Sequence, residues 1–254
     1  MDKLVNCLYR RPDAITRLIC FPWAGGGSLF NAKWGRLFDD SVEVYSLRLP
    51  GRESRSREPF PQSFDQLLDE ITDVLLPLLY EKRFAFFGHS FGSFSSFATA
   101  VRLKEKHGLE PIHLFVSGAS APHSPLRYSS QKRSELSDEE FLKWMASTQG
   151  TPSELLQNKE AMQIFLPPLK ADLKLVENFV YEKPPTPVLS CGLTCFDGTE
   201  DVPHDLTAWK DLTSGDFNIH MLPGGHFYLK ESTNENSLVQ YISRYIEASE
   251  IDYF

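Results

Sequence analysis

Phe84-Ala85-Phe86-Phe87-Gly88-His89-Ser90-Phe91-Gly92 is the stretch on which the architecture hangs. An apolar run with strand character passes straight into Gly-x-Ser-x-Gly. Beyond it Phe94, Phe97, Ala98, Val101 and Leu103 recur at helical spacing. A chain that changes from strand to helix within one residue must bend so sharply that a side chain on either flank of the serine would clash, which explains glycine at 88 and 92. The bend lifts the Ser90 hydroxyl above the sheet and aims the helix N-terminus at negative charge developing there. A glycine-bounded turn can also carry an idle serine; the strand-turn-helix setting is what favours a nucleophile.

Working outward, short apolar runs alternate with helical patterns, as in a mostly parallel sheet wrapped by helices. Arg17–Phe21 and Val42–Leu47 read as strands before Ser90, each closed by proline and glycine, and His113–Ser117 as a strand after it. Phe64 to Tyr80 reads as a helix capped by Ser63. The alternation then stops. From about residue 122 to 179 only helical segments are expected, at Asp138 to Met145 and Ala161 to Val180, divided by Pro152, Pro167 and Pro168. Strands resume at Val188 to Phe196 and Phe217–Leu222, and a last helix carries Leu238, Ile242, Tyr245 and Ile246 on one face. The chain is therefore read as an α/β core over 1–121 and 186–254 with a helical lid inserted at 122–185.

Composition narrows the function. A chain of 254 residues with 34 acidic and 26 basic side chains, net charge -8, does not suit a nucleic-acid partner, which calls for clustered Lys and Arg. No apolar run reaches the roughly 20 residues of a membrane span, and the N-terminus lacks the apolar core of a secretory signal. Four cysteines are too few for a disulfide scaffold and fit reduced thiols in the cytoplasm. Cys191 and Cys195 share a probable strand without a partner pair, so no metal and no cofactor is expected.

A serine hydroxyl needs a base. Of the seven histidines, His226, in Leu222-Pro223-Gly224-Gly225-His226-Phe227, stands in a loop just after the last strand, the place expected for the base when serine, acid and histidine follow in that chain order. His107, His113, His123, His204 and His220 read as surface or packing residues. His89 adjoins the serine, but the turn should point it away. The acid that orients the base is sought after the preceding strand, in Asp197-Gly198-Thr199-Glu200-Asp201. Asp201 has the preferred loop position, Asp197 is its main rival and Glu200 comes third. Two backbone donors are needed for the oxyanion: the amide of Phe91, and one from Trp23-Ala24-Gly25-Gly26-Gly27, assigned to Ala24 with Trp23 as the neighbouring alternative.

Together, Phe21-Pro22-Trp23-Ala24-Gly25-Gly26, Arg48-Leu49-Pro50-Gly51-Arg52, Gly88-His89-Ser90-Phe91-Gly92 and Leu222-Pro223-Gly224-Gly225-His226-Phe227 resemble the type II thioesterases, serine hydrolases of the α/β-hydrolase fold. Within that family the chain looks most like the branch that serves vertebrate fatty acid synthases. The resemblance covers nearly the whole length and weakens in the lid and at the termini. It implies an α/β-hydrolase fold, Ser90 as nucleophile, His226 as base, Asp201 as its orienting acid, and a monomer. It also implies hydrolysis of medium- or long-chain acyl groups from the phosphopantetheine of an acyl carrier protein.

Two readings stay open beside it. A general carboxylesterase, lipase or acyltransferase would carry the same triad, and a carrier-binding module without catalysis could use the same scaffold. Phe141, Leu142, Trp144, Leu155, Phe165, Leu166 and Leu169 suit either an acyl tunnel wall or ordinary packing. Arg48, Arg52, Arg55 and Arg57 form a basic turn that either meets the acidic carrier or the pantetheine phosphate, or is a solvated loop.

Overall fold

The computed structural model describes residues 3–129, 131–147 and 156–251. Among them, seven strands form one sheet: β1 (Val5–Asn6), β2 (Thr16–Phe21), β3 (Val42–Leu47), β4 (Arg83–His89), β5 (His113–Ser117), β6 (Gly192–Gly198) and β7 (Phe217–Leu222), in the order β1-β3-β2-β4-β5-β6-β7. Only the edge strand β1 runs antiparallel, pairing Val5 with Leu47. The rest are parallel, with Phe86 opposite Ile19 on one side and Leu114 on the other. The helices are α1 (Leu29–Ala32), α2 (Phe64–Glu81), α3 (Phe91–His107), α4 (Asp138–Ser147), α5 (Lys159–Asn178) and α6 (Ser232–Ile251).

Alternate strand residues serve opposite faces. Ile19, Phe21, Phe86, Leu114, Val116 and Leu193 face α2 and α3, where Leu67, Ile71, Leu75, Phe97 and Leu103 meet them. Leu18, Cys20, Phe87, Phe115 and Phe196 face the other layer, closed by Trp34 and by Leu238, Ile242 and Ile246 of α6. Each such fully buried side chain contributes about 1.5–3 kcal/mol of transfer free energy. Ser63 caps α2 by accepting from the Gln66 amide at 3.1 Å. Pro77 is tolerated inside α2. The carbonyl it leaves without an N–H belongs to Asp73, which is exposed and open to water.

Two expectations need correction, and one strand was unforeseen. The strand β1 joins the sheet although the sequence gives no sign of it, because two residues are too short to show a period. The segment Val188 to Cys191 does not join β6; only a bridge from Leu189 to Thr213 forms there. The Glu110 carboxylate takes the Ser190 and Cys191 amides at 2.5 and 2.9 Å, diverting them from the ladder. Pro167 and Pro168 do not divide α5, which runs unbroken through both. The carbonyls they orphan, on Gln163 and Ile164, lie on the exposed side of the helix.

Between β5 and β6 the described residues hold no strand; α4 and α5 lie there. Phe141, Met145, Met162 and Leu169 form a small core, joined by Leu142, Trp144, Phe165 and Leu166. The apolar side chains singled out above therefore pack largely on one another. Pro152 and Leu155 lie outside the described residues. Among the described residues, no helix is long and apolar enough to cross a membrane.

Candidate active site

Ser90 sits where β4 becomes α3, partly buried, with φ 55° and ψ -115°. This is a conformation that non-glycine residues adopt only when their surroundings enforce it. Here they do. The Ser90 amide donates to the Ser117 carbonyl at 2.7 Å, and the Ser93 hydroxyl lies 2.9 Å from the carbonyl oxygens of both Gly88 and Ser117, between which its one hydrogen is shared. The flanking glycines are obligatory. A Cβ on Gly88 would lie 2.0 Å from the Gly92 carbonyl oxygen, and one on Gly92 would lie 2.2 Å from that of Phe21.

His226 comes from the turn after β7, and Asp201 from the turn after β6. Their Nδ1 and Oδ2 are 2.7 Å apart. The turns are tied together, since the Glu200 amide donates to the Gly224 carbonyl at 2.9 Å and the Thr199 amide to that of Leu222 at 2.8 Å. Asp201 is half-buried, with its side chain 5% exposed, against 24% for that of His226. Burial pushes the Asp201 carboxyl up. The hydrogen bond from His226, the charges of His226 and His204, and the Val202 amide outweigh it, so the group stays below the usual carboxylate range. An anionic Asp201 fixes the proton of His226 on Nδ1 and leaves Nε2 as the basic atom.

Asp197 belongs to a different partner. It accepts from Nδ1 of His204 at 2.8 Å, and the same nitrogen is 3.8 Å from Oδ2 of Asp201. Burial lowers the affinity of His204 for a proton, but the hydrogen bond and charge of Asp197, with Asp201 behind, leave it raised. Glu200, the third candidate, is exposed, and its tie to the histidine turn is made by its amide. Asp201, His204 and His226 offer three ligand atoms within 4.8 Å of one another. Both imidazoles turn Nδ1 toward a carboxylate, an arrangement that suits holding protons.

His89, expected to point away from the Ser90 hydroxyl, is buried beside His226, its ring centroid 4.9 Å from that of His226. Its Nδ1 meets the Ser117 hydroxyl at 2.8 Å, which in turn meets the Tyr228 hydroxyl at 2.6 Å. Burial first, then the neighbouring charges of His226, His204 and Lys230, hold its pKa well below the ordinary value, so it is a neutral support. A Cβ at Gly118 (φ +63°) would lie 2.6 Å from Cε1 of His89 and 3.4 Å from that of His226. His89 and His204 are the residues that sequence reasoning missed. His204 lies seven residues from Asp197, but nothing in that spacing announces the pairing.

The loop after β2 carries Ala24, half-buried between the main core and the α4/α5 core. The Gly26 amide closes a turn on the Trp23 carbonyl at 2.8 Å, and Glu53 receives the Ser28 amide and hydroxyl, each at 3.0 Å. Phe91, the other expected donor, turns its ring into the core against Phe64. Two of the four arginines of the basic turn are withdrawn from solvent, which neither reading above foresaw. Arg52 is buried on Asp172, and Arg55 is buried among Glu58, Glu70 and the Arg48 carbonyl; Arg57 is exposed.

Comparison with known proteins adds to this geometry. Residues 16–246 match the family described as Thioesterase domain. The chain is 49% identical over 250 residues to the rat S-acyl fatty acid synthase thioesterase, medium chain, covering 98% of this chain and 95% of that one. The human protein of the same description is 47% identical over 253 residues, covering 100% and 96%. Among solved structures, human thioesterase 2 is 40% identical with a TM-score of 0.73, covering 93% and 98%. The type II thioesterase BorB from the borrelidin cluster is 28% identical with a TM-score of 0.84, covering 96% and 98%.

Proposed function

Because the chain belongs to the thioesterase family, we propose that it hydrolyses medium- and long-chain acyl thioesters from the acyl carrier protein of a fatty acid synthase, releasing the free fatty acid. The observation that carries the chemistry is the 2.7 Å contact between Asp201 and His226, at the same end of the sheet as the strained turn of Ser90.

In this reading Ser90 Oγ attacks the thioester carbonyl while His226 Nε2 takes its proton. The imidazolium is stabilised by Asp201, and the oxyanion is received by the amides of Phe91 and Ala24. The pantetheine thiol leaves with the proton from His226. A thiol ordinarily ionises at about pH 8.5, which makes it a better leaving group than an alkoxide or amine. Water, deprotonated by His226, then attacks the acyl-enzyme, and Ser90 recovers its proton. Helices α4 and α5 are the lid over this centre, part of an insertion at 122–185 in a core of 1–121 and 186–254. The enzyme acts as a cytoplasmic monomer.

Hydrolysis of acyl carrier proteins of graded chain length, beside acyl-CoA and simple esters, tests the proposal, with Ser90→Ala as control. Faster turnover of the carrier-bound substrates is expected. Equal rates on all three classes would remove the carrier from the proposal.

A further inference from the structure

The carboxylate of Asp172, on α5, is buried, and three donors converge on it. Arg52 donates from Nη1 to Oδ2 at 2.6 Å and from Nη2 to Oδ1 at 2.8 Å. The amide of Gly25 donates to Oδ2 at 2.8 Å. Asp172 is 1% exposed and Arg52 is 7%. Building on the thioesterase reading, we infer that Asp172 is a positioning residue for the oxyanion, fixing the Ala24–Gly25 peptide so that the Ala24 amide meets the tetrahedral intermediate.

The loop needs such a restraint. Gly25, Gly26 and Gly27 have the freest backbones available, whereas an oxyanion donor works only if its direction is set before charge develops. Other ties come from the loop itself, Trp23 to Gly26, or from the turn after β3, 25 and 26 positions away: Glu53 to Ser28, and Arg52 to the Gly26 carbonyl at 3.3 Å. The tie from Asp172 spans 147 positions and comes from the helix inserted between β5 and β6. One turn earlier, Leu169 leaves no room for a side chain at Gly25, where a Cβ would lie 2.9 Å from the Leu169 Cβ. Helix α5 therefore grips the loop at i and i+3. A carboxylate accepts an amide hydrogen more strongly than a neutral group does, and Arg52 supplies the counter-charge that a buried carboxylate requires. The acyl cover and the oxyanion donor are thus mechanically one part: α5 cannot shift without releasing Gly25.

The test replaces both charges together, Arg52→Met with Asp172→Leu, so that no lone ion is buried. The folded double variant should lose about 10- to 100-fold in kcat, the cost of a small misplacement at a reacting centre, with KM within about threefold. Its inactivation by a fluorophosphonate should slow by the same factor, because the phosphonyl oxygen uses the same donors. Asp172→Asn keeps a weaker acceptor and should lose about 3- to 10-fold in kcat at unchanged KM. Wild-type kcat and inactivation rate in the folded double variant, or a loss confined to KM, overturn the inference. If the double variant does not fold, wild-type kcat in a folded Asp172→Asn overturns it equally. Should the wild type take the fluorophosphonate but cleave no acyl thioester, the thioesterase reading fails while the inactivation rates still decide the role of Asp172.

Discussion

His204 stands 2.8 Å from Asp197, so the rival for the triad acid already has an imidazole of its own. The two pairs lie side by side, the rings of His204 and His226 6.2 Å apart. Asp201→Asn should lower kcat by about 10⁴-fold with the fold intact, as loss of the orienting acid does in serine hydrolases. Asp197→Asn should cost less than about 10-fold, since it acts on the base only through a neighbour. Steady-state kinetics on the two variants decides the assignment; the reverse ranking would hand the role to Asp197.

The same pair has a pH signature in stability. The folded-state pKa of His204 is raised, so its contribution is fully present below the unfolded value near 6.5 and is lost as pH rises through the folded value. His204→Gln should therefore lower the melting temperature most at about pH 5.5, by roughly 2–4 °C for about 1 kcal/mol, and least at about pH 8.5. Calorimetry at the two values checks this. A deficit that grows with pH would contradict the ion pair.

His113 predicts the opposite slope. Burial pushes its pKa down to about 3, and it stacks on Phe115 and Tyr245 while meeting the Thr194 hydroxyl at 2.8 Å. The unfolded chain takes up this proton below about pH 6.5 and the folded chain does not, so stability falls as pH falls. Relative to wild type, the deficit of His113→Phe at pH 7.5 should shrink by about 2 kcal/mol at pH 5, from roughly 1.4 kcal/mol per pH unit over about 1.5 units. Urea titrations at both pH values measure it.

Gly118→Ala should damage activity more than stability. The backbone there is left-handed, and the new Cβ would clash with the ring of His89, 2.6 Å from its Cε1, and press it toward His226, which is itself at contact distance, 3.4 Å. The strain costs about 1–3 kcal/mol, and displacing the base by even a fraction of an ångström should lower kcat about 100-fold. A folded variant with wild-type kcat would show that the rings yield without consequence.

Much of this was legible in the residues. The bend at Ser90 and the sheet around it follow from glycine placement and from apolar runs of fixed length, both local properties. His226 and Asp201 could be placed by order along the chain because the parallel sheet brings the ends of β6 and β7 together. The support given by His89, the claim of His204 on Asp197 and the burial of Arg52 were not legible. Each depends on contacts between segments far apart in sequence, and a charged residue does not signal whether a partner will follow it inward. The run from Val188 failed for a related reason: strand propensity is local, but the carboxylate of Glu110 that diverts its amides arrives from another connection.

The clasp between Arg52 and Asp172 bears on how such a protein can diversify. An inserted segment above a shared sheet looks like a part that descent could exchange freely, retuning which acyl groups are admitted. Here any replacement must bring its own acid to the same spot, or strand a guanidinium in the interior. If Asp172 sets the oxyanion donor as inferred, selectivity and reactivity are inherited as a linked pair, and a graft that ignores the linkage would change the appetite of the enzyme and blunt it together.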